Sequence, residues 1–191
     1  MSYDSIFKPE LFQNKLVVVT GGGSGIGRCT AHELAALGAT VVITGRQADK
    51  LKNVATEIES DGGAVDFLAF DIRDAVAVAD KVDEILRRHG KIDGLVNNAG
   101  GQFPARLEDI SQNGWNAVVA TNLTGGFLVS REVYKQWMKG NGGSIVNIIA
   151  DMWRSMVEMG HSGAARAGML SFTETAAVEW GPDGVRVNAV A

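Results

Sequence analysis

The sequence alternates between short apolar runs and longer segments of helical periodicity along its whole length. The runs suited to strands buried on both faces are residues 16–20, 40–44, 65–70, 92–96, 144–149 and 185–190. The helical patterns between them are residues 26–37, 48–60, 74–89, 111–138 and 162–180. Strands that alternate with helices form right-handed crossover units, and these build a parallel sheet covered on both faces. The sequence therefore predicts an α/β fold, a Rossmann-like doubly wound parallel sheet.

Length and composition fit one domain that spans residues 1–191, because no repeat or linker interrupts the pattern. The net charge of −4 gives no overall basic surface for nucleic acid. No apolar run approaches the roughly 20 residues that a membrane span needs, so no membrane insertion is predicted. The lone Cys29 is expected in the core, and a chain with one cysteine fits a reducing, cytoplasmic compartment. Residues 185–190 form an apolar strand at the very end, which predicts a C-terminally truncated sequence.

A glycine-rich turn, Thr20-Gly21-Gly22-Gly23-Ser24-Gly25-Ile26-Gly27, joins the first strand to the first helix. Backbone N–H groups at such a helix N-terminus bind phosphate. Gly21 permits the tight turn, Gly25 lets a pyrophosphate approach the backbone, and Gly27 lets helix and strand pack closely. The turn therefore predicts a dinucleotide site in which Gly21, Ser24, Gly25, Ile26 and Gly27 contact the cofactor.

Other unusual residues follow the remaining strands of the predicted sheet. They are Gly45-Arg46 after the second strand, Asp71-Ile72 after the third, Asn97-Asn98-Ala99-Gly100 after the fourth and Ala150-Asp151-Met152 after the fifth. Ligands of open parallel sheets bind at the carboxyl ends of the strands. We therefore expect these residues to gather around the glycine-rich turn.

The turn and the Asn97-Asn98-Ala99-Gly100 motif together resemble the short-chain dehydrogenase/reductase family. The resemblance extends from about Asn14 to Ala191. It implies an oxidoreductase that binds NAD or NADP and assembles as a homo-oligomer, with a homotetramer expected. It also implies that Asp71 and Ile72 flank the adenine, and that Asn98, Ala99 and Gly100 run along the ribose and nicotinamide.

The end of the second strand distinguishes the two cofactors. Enzymes of this family that use NAD usually carry an acid there, which accepts hydrogen bonds from the adenine ribose. This sequence has Thr44-Gly45-Arg46 instead, without an acid. A guanidinium group suits phosphate as a planar, permanently charged fork. The sequence therefore predicts NADP, with Arg46 on the 2′-phosphate; the alternative is an ordinary solvated arginine.

Three of the four positions that carry the usual chemistry of the family differ in this sequence. Asn122 matches, but Ala150, Ser162 and Arg166 stand where serine, tyrosine and lysine are expected. A serine hydroxyl is a far weaker acid than a phenol of pKa about 10. Arginine stays protonated, so it can bind ribose hydroxyls but cannot shuttle a proton. Ordinary ketone reduction or alcohol oxidation is therefore disfavoured.

The segment His161-Ser162-Gly163-Ala164-Ala165-Arg166 resembles the trans-2-enoyl-CoA reductase branch of the family and, more distantly, the 2,4-dienoyl-CoA reductases. This implies NADPH-dependent reduction of an α,β-unsaturated acyl thioester, as in fatty acid metabolism. Hydride goes to Cβ, and fixed donors can stabilise the enolate that develops. Two alternatives remain open, a carbonyl reductase or alcohol dehydrogenase with another proton donor, and an NADP-binding sensor or scaffold without turnover.

Asn122, Ser162 and Arg166 are the predicted catalytic residues. Ser162 is interpreted as an oxyanion donor or as a helix N-cap. Arg166 is interpreted as a ligand of the nicotinamide ribose or as part of a surface salt bridge, and Asn122 as both structural and functional.

Four neighbours have weaker interpretations. His161 is a candidate proton source or a wall residue, Asp151 could orient Arg166 or a water, and Gln102 and Phe103 could line the acyl pocket. The proton donor itself stays open. No cluster of Cys and His has the spacing of metal ligands, so no metal site is predicted.

Overall fold

A parallel sheet of six strands forms the centre of the computed structural model, which describes residues 3 and 5–191. The strands are β1 (Leu16–Thr20), β2 (Thr40–Gly45), β3 (Ala64–Ala69), β4 (Gly94–Asn97), β5 (Gly143–Ile148) and β6 (Val185–Val190). Their order is β3-β2-β1-β4-β5-β6, and every neighbouring pair is parallel. The order reverses beside β1, which opens a crevice for a ligand there. The predicted doubly wound fold is confirmed.

Helices lie between the strands as the periodicity predicted. They are α1 (Gly25–Ala36), α2 (Ala48–Ser60), α3 (Ala75–His89), α4 (Gln112–Val119), α5 (Gly126–Val133), α6 (Lys139–Asn141) and α7 (Gly160–Trp180). Two π-helical stretches, Ala120–Gly125 and Tyr134–Met138, join α4, α5 and α6 into one long helical segment. Short 3₁₀ turns lie at Leu107–Asp109 and Gly181–Asp183. Helix α7 begins two residues before the predicted start.

Side chains of β1 alternate between two hydrophobic clusters, one on each face of the sheet. Val18 packs in the cluster beneath α3, α5 and α7, whereas Val17 and Val19 pack in the cluster beneath α1 and α2. Successive side chains of a strand point to opposite faces. A strand covered on both sides therefore needs apolar residues at every position, which explains the uninterrupted apolar runs.

Cys29 is exposed, so its predicted place in the core is wrong. The buried face of α1 carries Gly27, Ala31 and Ala35. Those positions are four residues apart and share one side of the helix. Cys29 lies midway between two of them in the sequence, which turns it toward solvent.

No helix in the described residues, 3 and 5–191, combines the length and apolarity needed to cross a membrane.

Candidate functional site

The glycine-rich turn has the geometry of a phosphate cradle. Gly21 and Gly25 have φ angles of 69° and 54°, in the left-handed region that glycine adopts without steric strain. A Cβ on Gly27 would lie 2.4 Å from the Gly21 carbonyl oxygen, so no side chain fits between turn and helix. A Cβ on Gly25 would meet nothing within 4 Å, so this side of the turn is open. The turn is therefore closed toward the sheet and open at the N-terminus of α1.

Thr20 and Asn98 tie the turn to the end of β4. Thr20 Oγ1 accepts the N–H groups of Asn98 and Ala99 at 3.1 and 3.0 Å. Asn98 Nδ2 donates in return to the carbonyl oxygens of Thr20 and Gly21 at 3.0 and 3.3 Å. These bonds occupy the Asn98 side chain and hold the ends of the two strands together. Thr20 was missed as a supporting residue, although it stands beside Gly21 in the motif.

A cleft of about 370 Å³ lies between the turn and the ends of the strands. It brings together most of the predicted cofactor residues, namely Gly21, Ser24, Ile26, Arg46, Asp71, Ile72, Asn98, Ala99 and Gly100. Gly25, Gly27 and Arg166 are not among the residues that line it. Its wall also contains residues that the motifs did not indicate, such as Phe70, Arg73 and Thr121.

Asp71 and Arg73 form a close ion pair at the end of this cleft. Arg73 Nη2 lies 2.5 Å from Asp71 Oδ2, and Arg73 Nε lies 3.0 Å from both carboxylate oxygens. The Arg73 N–H also donates to Asp71 Oδ1 at 3.0 Å. Hydrogen bonds from the Arg73 guanidinium hold the pKa of the Asp71 carboxyl below its usual value, and the charge of Arg46 acts in the same direction. Arg46 itself is exposed at the end of β2.

Arg166 and Asn122 meet around Gly100. A Cβ on Gly100 would lie 2.6 Å from Arg166 Nη2 and 3.1 Å from Asn122 Oδ1. Arg166 Nη1 donates to the Ile148 carbonyl at 2.5 Å, while its buried Nε has no partner among the described residues. Burial lowers the pKa of the Arg166 guanidinium. The alternative of a surface salt bridge is therefore wrong, because this side chain reaches inward to the end of β5.

A directed chain of hydrogen bonds runs from the backbone to Gln102. The Gly101 N–H donates to Asn122 Oδ1 at 2.9 Å, which leaves Asn122 Nδ2 as a donor. That nitrogen lies 3.5 Å from Ser162 Oγ, a long contact in which serine is the acceptor. Ser162 then donates its proton to Gln102 Oε1 at 2.5 Å. A backbone N–H can only donate, so it fixes Asn122 Oδ1 as an acceptor and Asn122 Nδ2 as a donor; the Ser162 hydroxyl, which accepts from Nδ2, keeps its own hydrogen for the bond to Gln102.

Ser162 is fully buried in the first turn of α7, and Met159 occupies the N-cap position. The N-cap alternative for Ser162 is therefore wrong. Asn122 lies in the π-helical stretch Ala120–Gly125, a form of helix that is often found at functional sites. The sequence assigned Gln102 to the acyl pocket, but its bond to Ser162 could not be seen in any motif.

His161 is fully buried, and its ring packs edge-on against Phe103 with centroids 4.5 Å apart. Neither ring nitrogen of His161 has a partner within the part of the chain that the structure describes. This placement fits a wall residue. Asp151 is exposed, and the guanidinium of Arg166 binds the Ile148 carbonyl instead. Among residues 3 and 5–191, no group of three His, Cys, Asp or Glu side chains could hold a metal ion.

The sequence is similar to a known protein family and to several named proteins. A family model described as short chain dehydrogenase matches residues 15–191. The peroxisomal 2,4-dienoyl-CoA reductase of Danio rerio is 38% identical over 191 residues, which cover 99% of this chain and 64% of the relative. A Bacillus subtilis protein named "Probable 2,4-dienoyl-CoA reductase" is also 38% identical, over 94% of this chain and 72% of its own length.

A solved structure from Pseudomonas aeruginosa PAO1, titled as the citronellol catabolism dehydrogenase AtuB, is 62% identical to this chain. It superposes with a TM-score of 0.96, over 99% of this chain and 78% of its own. The chain thus spans about two thirds of the length of the Danio rerio relative and more of this structure.

Proposed function

The chain belongs to the short-chain dehydrogenase family, and on that premise we propose that it reduces an α,β-unsaturated acyl thioester with NADPH. The observation that carries this proposal is the directed chain that ends at Gln102. It provides an amide donor for an enolate oxygen, in a site where the described residues place no phenol, the usual proton donor in ketone reduction. The relatives named 2,4-dienoyl-CoA reductase support an acyl-CoA substrate.

The residues present fit a dinucleotide cofactor. The open side of Gly25 and the shape of the cleft match a pyrophosphate and the groups attached to it, and the Arg166 guanidinium, whose Nη2 lies beside the cleft residue Gly100, can donate to a ribose hydroxyl. In this proposal Gly21 to Gly27 bind the pyrophosphate, Arg46 the 2′-phosphate, and Asp71 with Ile72 the adenine. Residues 98–100 and Arg166 hold the nicotinamide side. When bound, the cofactor supplies the hydride that goes to Cβ.

Gln102 acts as the oxyanion donor. Its Oε1 accepts from Ser162, so its Nε2 carries the two N–H groups that can reach a thioester oxygen. Losing one donor of an oxyanion hole typically costs about 3 kcal/mol of transition-state stabilisation. Ser162 and Asn122 are then positioning residues, because they fix which end of the Gln102 amide faces the substrate.

Neither tyrosine of the chain can supply the proton for Cα. Tyr134 donates to Asp183 at 2.5 Å, in a part of the molecule away from the cleft. Tyr3 is bonded to Glu33, and this hydrogen bond together with burial raises its pKa to about 12. A water molecule is the proton source in this proposal, since the enolate is a weaker base than the alkoxide of ketone reduction.

The experiment measures NADPH oxidation by the protein with trans-2-enoyl-CoA, 2,4-dienoyl-CoA and small ketones at equal concentrations. Turnover with a thioester and none with the ketones supports the proposal. Turnover with ketones alone overturns it. Tight NADPH binding with no turnover on any substrate favours the sensor or scaffold instead.

A second candidate is a carbonyl reductase or alcohol dehydrogenase with a different proton donor. It is favoured by the 62% identity to the structure titled citronellol catabolism dehydrogenase. Under this candidate the buried His161 beside Ser162 donates the proton in carbonyl reduction and accepts the hydroxyl proton in alcohol oxidation. The rate of NADP⁺ reduction with citronellol measures this activity directly. A rate higher than that of NADPH oxidation with the thioesters would favour this candidate.

We also infer a homotetramer in the cytoplasm, acting in fatty acid metabolism. Phe127 of α5 is exposed and contacts Phe172 of α7 edge-on at 5.8 Å, which gives these helices an aromatic surface for a second copy. Light scattering coupled to gel filtration measures the assembly. The compartment stays a prediction, because the Danio rerio relative is named as peroxisomal.

A further inference from the structure

We infer that Arg73 sets the preference for NADP over NAD by occupying the Asp71 carboxylate, which leaves Arg46 free for the 2′-phosphate. This inference rests on the proposed function, because it takes NADPH as the cofactor. It assigns a role to a residue outside the glycine-rich turn and outside the end of β2. Arg73 is thus a positioning residue that acts on the phosphate through another side chain.

Arg73 binds the Asp71 carboxylate through both its guanidinium group and its backbone. Its Nε and Nη2 both reach the carboxylate, at distances between 2.5 and 3.0 Å, and its backbone N–H adds a further bond. Asp71, Arg73 and Arg46 all line the same cleft. The Asp71 carboxylate therefore stands in the adenosine end of the site with its oxygens already satisfied.

The charges at this end of the cleft explain why the pair matters. Arg46, Lys50 and Arg73 are the cations among the lining residues, and Asp71 is the anion. An unpaired carboxylate would repel a 2′-phosphate or would bind Arg46 in its place. Either event weakens the binding of NADPH. NADH lacks that phosphate, so its binding should respond much less.

Arg73 could instead bind the phosphate directly, and the two roles predict different couplings. A residue that acts by neutralising Asp71 matters only while Asp71 carries a charge. A direct phosphate ligand matters whether or not Asp71 is charged. The effect of Arg73→Gln must therefore be measured both in the wild-type protein and in the Asp71→Asn background.

The experiment titrates NADPH and NADH into the protein by isothermal titration calorimetry, without substrate. We expect Arg73→Gln to raise the Kd for NADPH about tenfold, the factor that corresponds to about 1.4 kcal/mol, and the Kd for NADH less than about twofold. In the Asp71→Asn background the same change should alter the NADPH Kd less than about twofold. Arg87→Gln is the matched control, because Arg87 forms an exposed pair with Asp83 on α3 at 3.1 Å.

An unchanged ratio of the two Kd values in Arg73→Gln overturns the inference. An equally large NADPH effect in the Asp71→Asn background also overturns it, in favour of a direct phosphate contact. Failure of the proposed cofactor has another signature, namely a wild-type protein that binds NADH as tightly as NADPH and does not respond to Arg46→Gln. The two failures are therefore distinguishable.

Discussion

At the scale of single residues, the direction of three hydrogen bonds decides what the site can offer a substrate. The chain starts at the Gly101 N–H and ends with the Gln102 Oε1 accepting from Ser162. The side chains of Asn122 and Ser162 are therefore hydrogen-bonded to each other, to Gly101 and to Gln102. In the proposed reaction the donor to the substrate is the Gln102 amide, which stabilises an anion through its dipole but gives up no proton.

Gln102→Glu tests this role without changing the size of the side chain. The glutamate keeps an acceptor for Ser162 but loses both N–H groups and places a negative charge beside the enolate. We expect kcat for enoyl-CoA to fall about 100-fold or more, as for loss of one oxyanion donor. Steady-state rates measure it, with Gln13→Glu as the exposed control. A variant that keeps kcat and changes only KM would contradict the assignment.

The motifs identified many of the residues that line the cleft, because the ends of parallel strands meet at one edge of the sheet. They did not indicate Arg73, since its pairing with Asp71 depends on side-chain rotamers in a loop. Ser162 was placed in the site, but its N-cap alternative failed because α7 starts at Gly160. No sequence motif predicts the direction of these hydrogen bonds, because they join residues 101–102, Asn122 and Ser162, which come together only in the folded protein.

At the scale of elements, the contact between α1 and β1 depends on a glycine that leaves no room for a Cβ. In Gly27→Ala the new methyl group would lie 2.4 Å from both the Gly21 carbonyl oxygen and Asn98 Nδ2. We expect the free energy of unfolding to fall by about 1–3 kcal/mol through overpacking, and NADPH binding to weaken. Denaturant titration measures the loss. The control is Gly140→Ala, where a Cβ meets nothing within 4 Å; equal stabilities of the two variants would contradict the account.

Asp93 joins the first residues of β1 and β4. It accepts the Leu16 N–H at 2.8 Å and pairs with Lys15 and Lys91 at 3.2 and 3.3 Å. Burial opposes its charge, but the Leu16 N–H and the two lysines outweigh burial and lower the pKa of Asp93.

A lowered carboxyl pKa stabilises the fold above the unfolded-state pKa of about 3.9, and the stabilisation disappears as the pH falls through the folded-state value. Asp93→Asn should therefore be less stable than wild type at pH 7, and the difference should shrink below about pH 4. Urea titrations at several pH values measure it. A difference that stays constant down to pH 3 would contradict this cause.

Strands and helices were predicted well because both faces of the sheet are covered, which makes the strand runs continuous and helices such as α2 and α3 amphipathic. Asp74 and Ser111 are the N-caps of α3 and α4, since the side chain of each accepts from backbone N–H in the first turn of its helix. The π-helical stretch that carries Asn122 was not predicted. One wider turn within a long helical segment leaves no distinct pattern in the sequence. The π-helical stretch is therefore visible only in the backbone.

At the scale of the whole molecule, the strand order places two groups of residues with different predicted roles at one edge of the sheet. The cleft beside β1 contains the glycine-rich turn and a cationic end at Arg46, whereas α7 and the π-helical stretch carry Arg166, Ser162 and Asn122. The crossover rules predict this meeting of strand ends. They say nothing about the reaction, which depends on the particular donors that stand at this edge.

The most direct test of the reaction follows the hydride itself. NADPH carrying deuterium at the transferable C4 position is incubated with the protein and trans-2-enoyl-CoA, and the acyl product is located by mass spectrometry and NMR. We expect one deuterium at Cβ and a solvent proton at Cα. An acyl chain without deuterium, together with deuterium transferred to the carbinol carbon of a ketone substrate, would contradict it.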